Sequence, residues 1–109
     1  PASDQWLMDV ATSSKEDIEL RKKALFWAGQ SRTSVADLVS LYDRMKEPEM
    51  REQLIFVYSQ RREPAAVDKL MQVARSDTDK ELRKKAIFWL SQSRDPRAAE
   101  FLLQVIEQP

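Results

Sequence analysis

The sequence predicts an all-α protein: a right-handed α-α superhelix in which about three helical hairpins stack behind one unpaired N-terminal helix. Three observations lead there. The segment Glu19-Leu20-Arg21-Lys22-Lys23-Ala24-Leu25-Phe26-Trp27 returns as Glu81-Leu82-Arg83-Lys84-Lys85-Ala86-Ile87-Phe88-Trp89. A looser copy, Glu49-Met50-Arg51-Glu52-Gln53-Leu54-Ile55-Phe56-Val57, lies between them, so the copies start 30 and 32 residues apart. Such a period signifies stacked supersecondary units. Within the third copy Leu82, Ala86, Trp89 and Leu90 fall at i, i+4, i+7 and i+8, one face of an α-helix. Gly29 is the only glycine in 109 residues, and the tight turns between strands consume glycine.

Taken in order, the first element covers about residues 4–12. Gln5 to Ala11 matches Asp68 to Ala74 and reads as the second helix of a repeat whose first helix is missing. Repeats then occupy about 15–45, 47–76 and 78–107 of a single domain, 1–109. In the first, Ser14 and Ser34 are placed to accept the free N–H groups of a helix's first turn. In the second, Pro48 and Pro64 take the first helical position, where the N–H that proline lacks has no partner anyway. In the third, Thr78 and Glu81 have the spacing of a capping box, with Asp77 and Asp79 adding negative charge near the positive helix end. Asp95-Pro96 then stops one helix and starts the next, which runs to about Glu107 with Leu102, Val105 and Ile106 facing inward. Neither helix of a hairpin buries its apolar face alone, so the hairpins must stack. Pro1 is no natural start, which predicts a piece of a longer chain.

Composition narrows the function classes. Eighteen basic and eighteen acidic residues cancel, with the signs interleaved, so neither nucleic acid nor an anionic membrane is an expected partner. No apolar stretch approaches the roughly 18 residues of a membrane span, so no membrane insertion is expected. Cysteine and histidine are absent, which removes thiolate and imidazole metal ligands and the commonest general base. Serines are plentiful but have no histidine to activate them. One glycine cannot build a phosphate-cradling loop. No enzymatic activity, cofactor or metal is expected, and the compartment stays open.

Leu20 to Gly29 and Leu82 to Leu90 resemble the first helix of HEAT repeats, most closely the short bacterial variety described in phycobilisome lyase subunits. That pattern has an aliphatic residue, an arginine, an alanine three positions on, an apolar pair and often a glycine. Asp95-Pro96-Arg97-Ala98 is similar to the family's turn between paired helices. The resemblance spans about Trp6 to Ile106 and implies a non-catalytic protein–protein interaction scaffold, whose second helices line a concave surface. The partner would be another protein or another domain of the same chain. The alternative it implies is a lyase or chaperone-type subunit holding a tetrapyrrole-bearing protein. The middle repeat departs from the pattern, with Leu54 in place of alanine and Tyr58 where Ala28 and Leu90 stand, so packing there is expected to be looser or differently shaped.

Several side chains stand out. Arg21, Arg51 and Arg83 each follow an acid by four residues (Asp17, Glu47, Asp79), a spacing that pairs them along a helix; stacking predicts a ladder of such pairs. Gln30, Gln60 and Gln92 recur at helix ends, where they can bond leftover carbonyls; an arginine follows each two residues later (Arg32, Arg62, Arg94). Lys22-Lys23 and Lys84-Lys85 read as a solvated face. With Leu20, Ala24, Trp27 and Ala28 taken as the buried face, Phe26 lies roughly 145° from its centre at 100° per residue. Phe56 and Phe88 share that position, so the three form either an outer aromatic stripe suited to an interface or rings lying sideways between adjacent helices. Trp27 and Trp89 are expected in the core, and Trp6 over the open end. On the second helices, Leu38, Leu41, Lys69, Gln72, Phe101 and Gln104 are expected to face outward as the concave protein-binding row.

Overall fold

The computed structural model describes residues 2–107. They form seven helices: α1 (Ala2–Thr12), α2 (Ile18–Gln30), α3 (Val35–Arg44), α4 (Pro48–Ser59), α5 (Pro64–Ser76), α6 (Lys80–Ser91) and α7 (Pro96–Glu107). No strand occurs among the described residues. The helix starts follow local chemistry. Pro48 and Pro64 open α4 and α5, and the Ser34 side chain accepts the Asp37 N–H at 3.0 Å. Two expected caps shift. Asp17, not Ser14, accepts from the backbone of Glu19, and Asp79, not Thr78, accepts from Glu81. The short acidic side chain immediately before the helix reaches its first turn better than a residue further upstream.

α2, α4 and α6 pack side by side in one layer, and α3, α5 and α7 in the other, while α1 lies against α2 and α5 against α6. The stack is elongated, 45 × 25 × 18 Å, as nearest-neighbour packing requires. Its fully buried large side chains, Tyr58, Leu25, Leu38, Leu41, Met50, Leu54, Ile55 and Leu90, centre on α4. The middle repeat is thus not looser. Tyr58 fills the position held by Ala28 and Leu90 in the other repeats and donates its hydroxyl to the Leu38 carbonyl at 2.8 Å. Gly29 allows α2 to approach α4: a Cβ there would lie 2.7 Å from Val57 Cγ1.

The buried face of α2 is Arg21, Ala24, Leu25, Ala28 and Gly29, so the expected face built on Leu20 and Trp27 is corrected. Leu20 is 45% and Trp27 59% exposed. Their equivalents Met50 and Val57 are buried, and Val57 packs against Gly29 of the preceding first helix, a neighbour that α2 lacks. On α7 the inner side is Ala98 and Phe101; Leu102 and Val105 are half-buried and Ile106 is exposed.

The arginine ladder forms between repeats rather than within helices. Buried Arg21 donates through Nε to the Ala11 carbonyl that ends α1 and through Nη1 to Glu47 at 2.7 Å, one repeat ahead. Arg51 repeats this with the Met45 carbonyl at 2.7 Å and Asp77 at 3.5 Å. Arg83 keeps only the carbonyl, that of Asp77 at 2.7 Å. The acids four residues upstream are occupied at helix starts: Asp17 and Asp79 as caps, Glu47 as partner of the previous arginine. Each guanidinium ties one second helix to the next hairpin, a charge-assisted pairing of greater strength than a neutral bond.

Candidate protein-binding surfaces

The row expected on the second helices does not face outward as a unit. Leu38, Leu41, Lys69 and Phe101 are buried, and only Gln72 and Gln104 are exposed. Burial sets Leu41, Lys69 and Phe101 at equivalent positions, each three residues after another buried residue, Leu38, Ala66 and Ala98. These positions form the seam between consecutive second helices. Lys69 Nζ lies 3.6 Å from Asp43 and 5.0 Å over the Tyr42 ring, both on the preceding second helix. Phe101 likewise stacks under Arg75 of α5 at 5.0 Å.

Around Tyr42 the seam becomes polar. Its hydroxyl donates to Asp77 at 2.6 Å, and Arg51 sits 4.8 Å over its ring. Asp77 also accepts the Asp79 backbone N–H at 2.8 Å, and Lys69 donates to Gln72 at 2.9 Å. A cleft of about 280 Å³ opens over this cluster. Burial, the hydrogen bond to Asp77 and that carboxylate's charge all raise the Tyr42 phenol far above its ordinary 10.0, so the hydroxyl stays protonated and acts as a donor. No buried side-chain nitrogen or oxygen among the described residues lacks a partner. The cluster is satisfied internally and holds α3, α4 and α5 together.

The first-helix layer is different. Phe26 stacks on Phe56 at 6.2 Å, and Phe56 meets Trp89 edge-on at 5.6 Å. Trp27 extends the row from Phe26 at 5.2 Å, and Phe88 from Trp89 at 5.0 Å. Five rings thus run unbroken across α2, α4 and α6. The three phenylalanines do not share one environment: Phe26 and Phe56 lie sideways and half-buried, whereas Phe88 is 55% exposed. Trp27, expected in the core, is an exposed end of the row. A groove of about 460 Å³ between α4 and α6 is lined by Phe56, Phe88 and Trp89. Its polar walls are ion pairs, Lys85–Glu52 and Lys84–Glu81, each at 3.5 Å. The sequence held one signal for Trp27: the first copy of the motif has no copy in front of it. Trp6, expected over the open end, is 61% exposed as well.

The glutamines do not bond helix-end carbonyls. Serine hydroxyls do so, Ser31 to Ala28, Ser59 to Phe56 and Ser91 to Phe88, and Gln60 and Gln92 touch only the neighbouring serine oxygens. No helix of the described residues is long and apolar enough to cross a membrane, and no three or more acidic side chains among them gather as a metal site would require.

The family described as HEAT repeats matches the chain over residues 5–87 and again over 35–109. No curated protein and no solved structure matches it.

Proposed function

The chain belongs to the HEAT-repeat family, and from that premise we propose that it is a non-catalytic scaffold that binds another protein through the aromatic row of its first-helix layer. The five-ring row carries this reading. Exposed contiguous apolar surface rimmed by charge is how protein interfaces announce themselves, and aromatic residues are enriched at their centres. The partner presents apolar side chains to Phe88, Trp89 and Phe56, flanked by both signs of charge to meet the Glu52–Lys85 and Glu81–Lys84 pairs. The satisfied cluster around Tyr42 supports the non-catalytic part, since its buried polar groups are already paired with one another. Kinship to the short bacterial repeats of phycobilisome lyase subunits belongs to the same proposal, supported by Leu20 to Gly29 and by Asp95-Pro96-Arg97-Ala98. Paired baits test it: the chain and its Phe88→Asp variant, immobilised side by side. The variant should melt within a few degrees of the parent, as expected for a surface change, and should lose the protein that the parent captures. A partner held equally by both baits would place the interface elsewhere.

A further inference from the structure

We propose that the edge formed by the turns between paired helices is a docking site for an extended acidic peptide, gripped by Arg32, Arg62 and Arg94. These arginines end the Gln-x-Arg motif that recurs once per repeat. All three are exposed. Among the described residues none of their guanidinium groups enters a hydrogen bond to protein or an ion pair, in contrast to the other arginines of this edge. Arg61 donates to the Gly29 and Thr33 carbonyls and pairs with Glu63 at 2.7 Å. Arg97 pairs with Asp68 at 2.7 Å and Asp95 at 3.0 Å. Glu63 is thus engaged by Arg61, and Asp95 and Asp68 share Arg97, while Asp37 and Glu100 are the acids left on this edge outside the ion pairs. On a chain of zero net charge these three guanidinium groups are thus the ones along this edge without a carboxylate partner. A cation beyond a helix C-terminus also suits the helix dipole, but that role needs no row of unengaged forks beside amides. Here Gln30, Gln60 and Gln92 stand exposed alongside, able to meet a peptide main chain. A cleft of about 680 Å³ lies between Arg62 and Arg94, with Gln60, Gln92 and Trp89 in its walls.

Spacing selects the ligand. Neighbouring helices in a layer lie roughly 8–10 Å apart, which sets the pitch of the arginine row. A polyproline-II peptide turns once per three residues with about 3.1 Å rise each, so every third side chain returns to one face after about 9 Å. Carboxylates at every third position therefore meet successive guanidinium groups, whose fork matches a carboxylate. A nucleic-acid strand, charged at every nucleotide, leaves most of its charges unmatched by three arginines. The edge shares Trp89 with the aromatic row, but its arginines lie outside that row, so the triple arginine variant and Phe88→Asp test the two readings separately.

The probe is an acetylated, amidated peptide of four Glu-Pro-Pro repeats, titrated at low salt with calorimetry or tryptophan emission as readout. Its composition isomer with the four glutamates contiguous serves as control. The spaced peptide should bind at least about tenfold more tightly than the isomer. Exposed ion pairs contribute up to about 1 kcal/mol each. On that scale Arg62→Gln should weaken binding about threefold, and the triple variant Arg32→Gln, Arg62→Gln, Arg94→Gln about thirtyfold, with an unchanged melting temperature. No binding of the spaced peptide, equal affinity for the isomer, or full affinity in the triple variant would each overturn the proposal. So would tighter binding of a twelve-residue oligothymidylate.

Discussion

The first and middle repeats carry nearly the same first helix and live in different surroundings. Met50 and Val57 of the middle helix are buried, while Leu20 and Trp27, at the same two positions of the first, are about half exposed. The third repeat mirrors this on its other side: Phe56 is half-buried against Trp89, and Phe88, with no following helix to meet, stands open. The residues are equivalent and their burial is not, because in a stack the free energy resides largely in contacts between neighbours. The middle repeat has two neighbours and holds most of the core. Each end has one, and it presents as surface what the middle uses as interior.

The strongest way to break this comparison is the double substitution Leu38→Asp with Leu41→Asp. Both side chains are fully buried beside the middle repeat, and burying two unpaired carboxylates is far more costly than losing apolar contacts. The expected outcome is a chain without a cooperative melt; a near-normal melting curve would show that these leucines are surface.

Truncations sharpen the contrast. Leu54→Ala, in the middle of the stack, should cost about 2–5 kcal/mol in a denaturant titration. Leu103→Ala, whose side chain is 58% exposed, should stay within about 0.5 kcal/mol. Similar losses at the two sites would contradict the neighbour-dominated picture. Gly29→Ala tests the seam between first and middle repeats directly. Its new methyl meets the stiff, β-branched Val57, so a loss of about 1–3 kcal/mol is expected, partly restored by adding Val57→Ala.

The smallest effect concerns the ladder. The hydrogen bond from Arg21 holds the Glu47 carboxyl below its ordinary 4.5. A carboxylate whose pKa is lowered by folding stabilises the folded state fully above its unfolded value. That contribution is lost as pH falls through the lower, folded value. Stability should therefore be flat near neutrality and decline below about pH 4.5. Glu47→Gln should flatten this acid limb without much change at pH 7, since the pair is partly solvated and screened. An unaltered acid limb in the variant would remove Glu47 from the ladder.

Much of what is set within one helical turn is legible in the sequence alone. Pro48, Pro64 and Pro96 with the Ser34 cap mark helix starts, because φ and first-turn hydrogen bonds are local matters. The period of the copies then dictated hairpins, and hairpins with one apolar face each dictated stacking. The alignment of Phe26, Phe56 and Phe88 is legible for the same reason, as one position repeated three times. What only the tertiary structure decided is which side of each helix has a neighbour. A helical wheel fixes angles within a helix, and it cannot say that α2 lacks a predecessor, so by itself it places Leu20 and Trp27 in the core. Nor can it say that Leu41, Lys69 and Phe101 lie on the seam between second helices, where a side chain pointing away from its own hairpin is covered by the next one. The arginines show the same division: their periodicity is written in the sequence, but Arg21 reaches Glu47 and Arg51 reaches Asp77 only because stacking brings residues 26 positions apart within reach of a guanidinium.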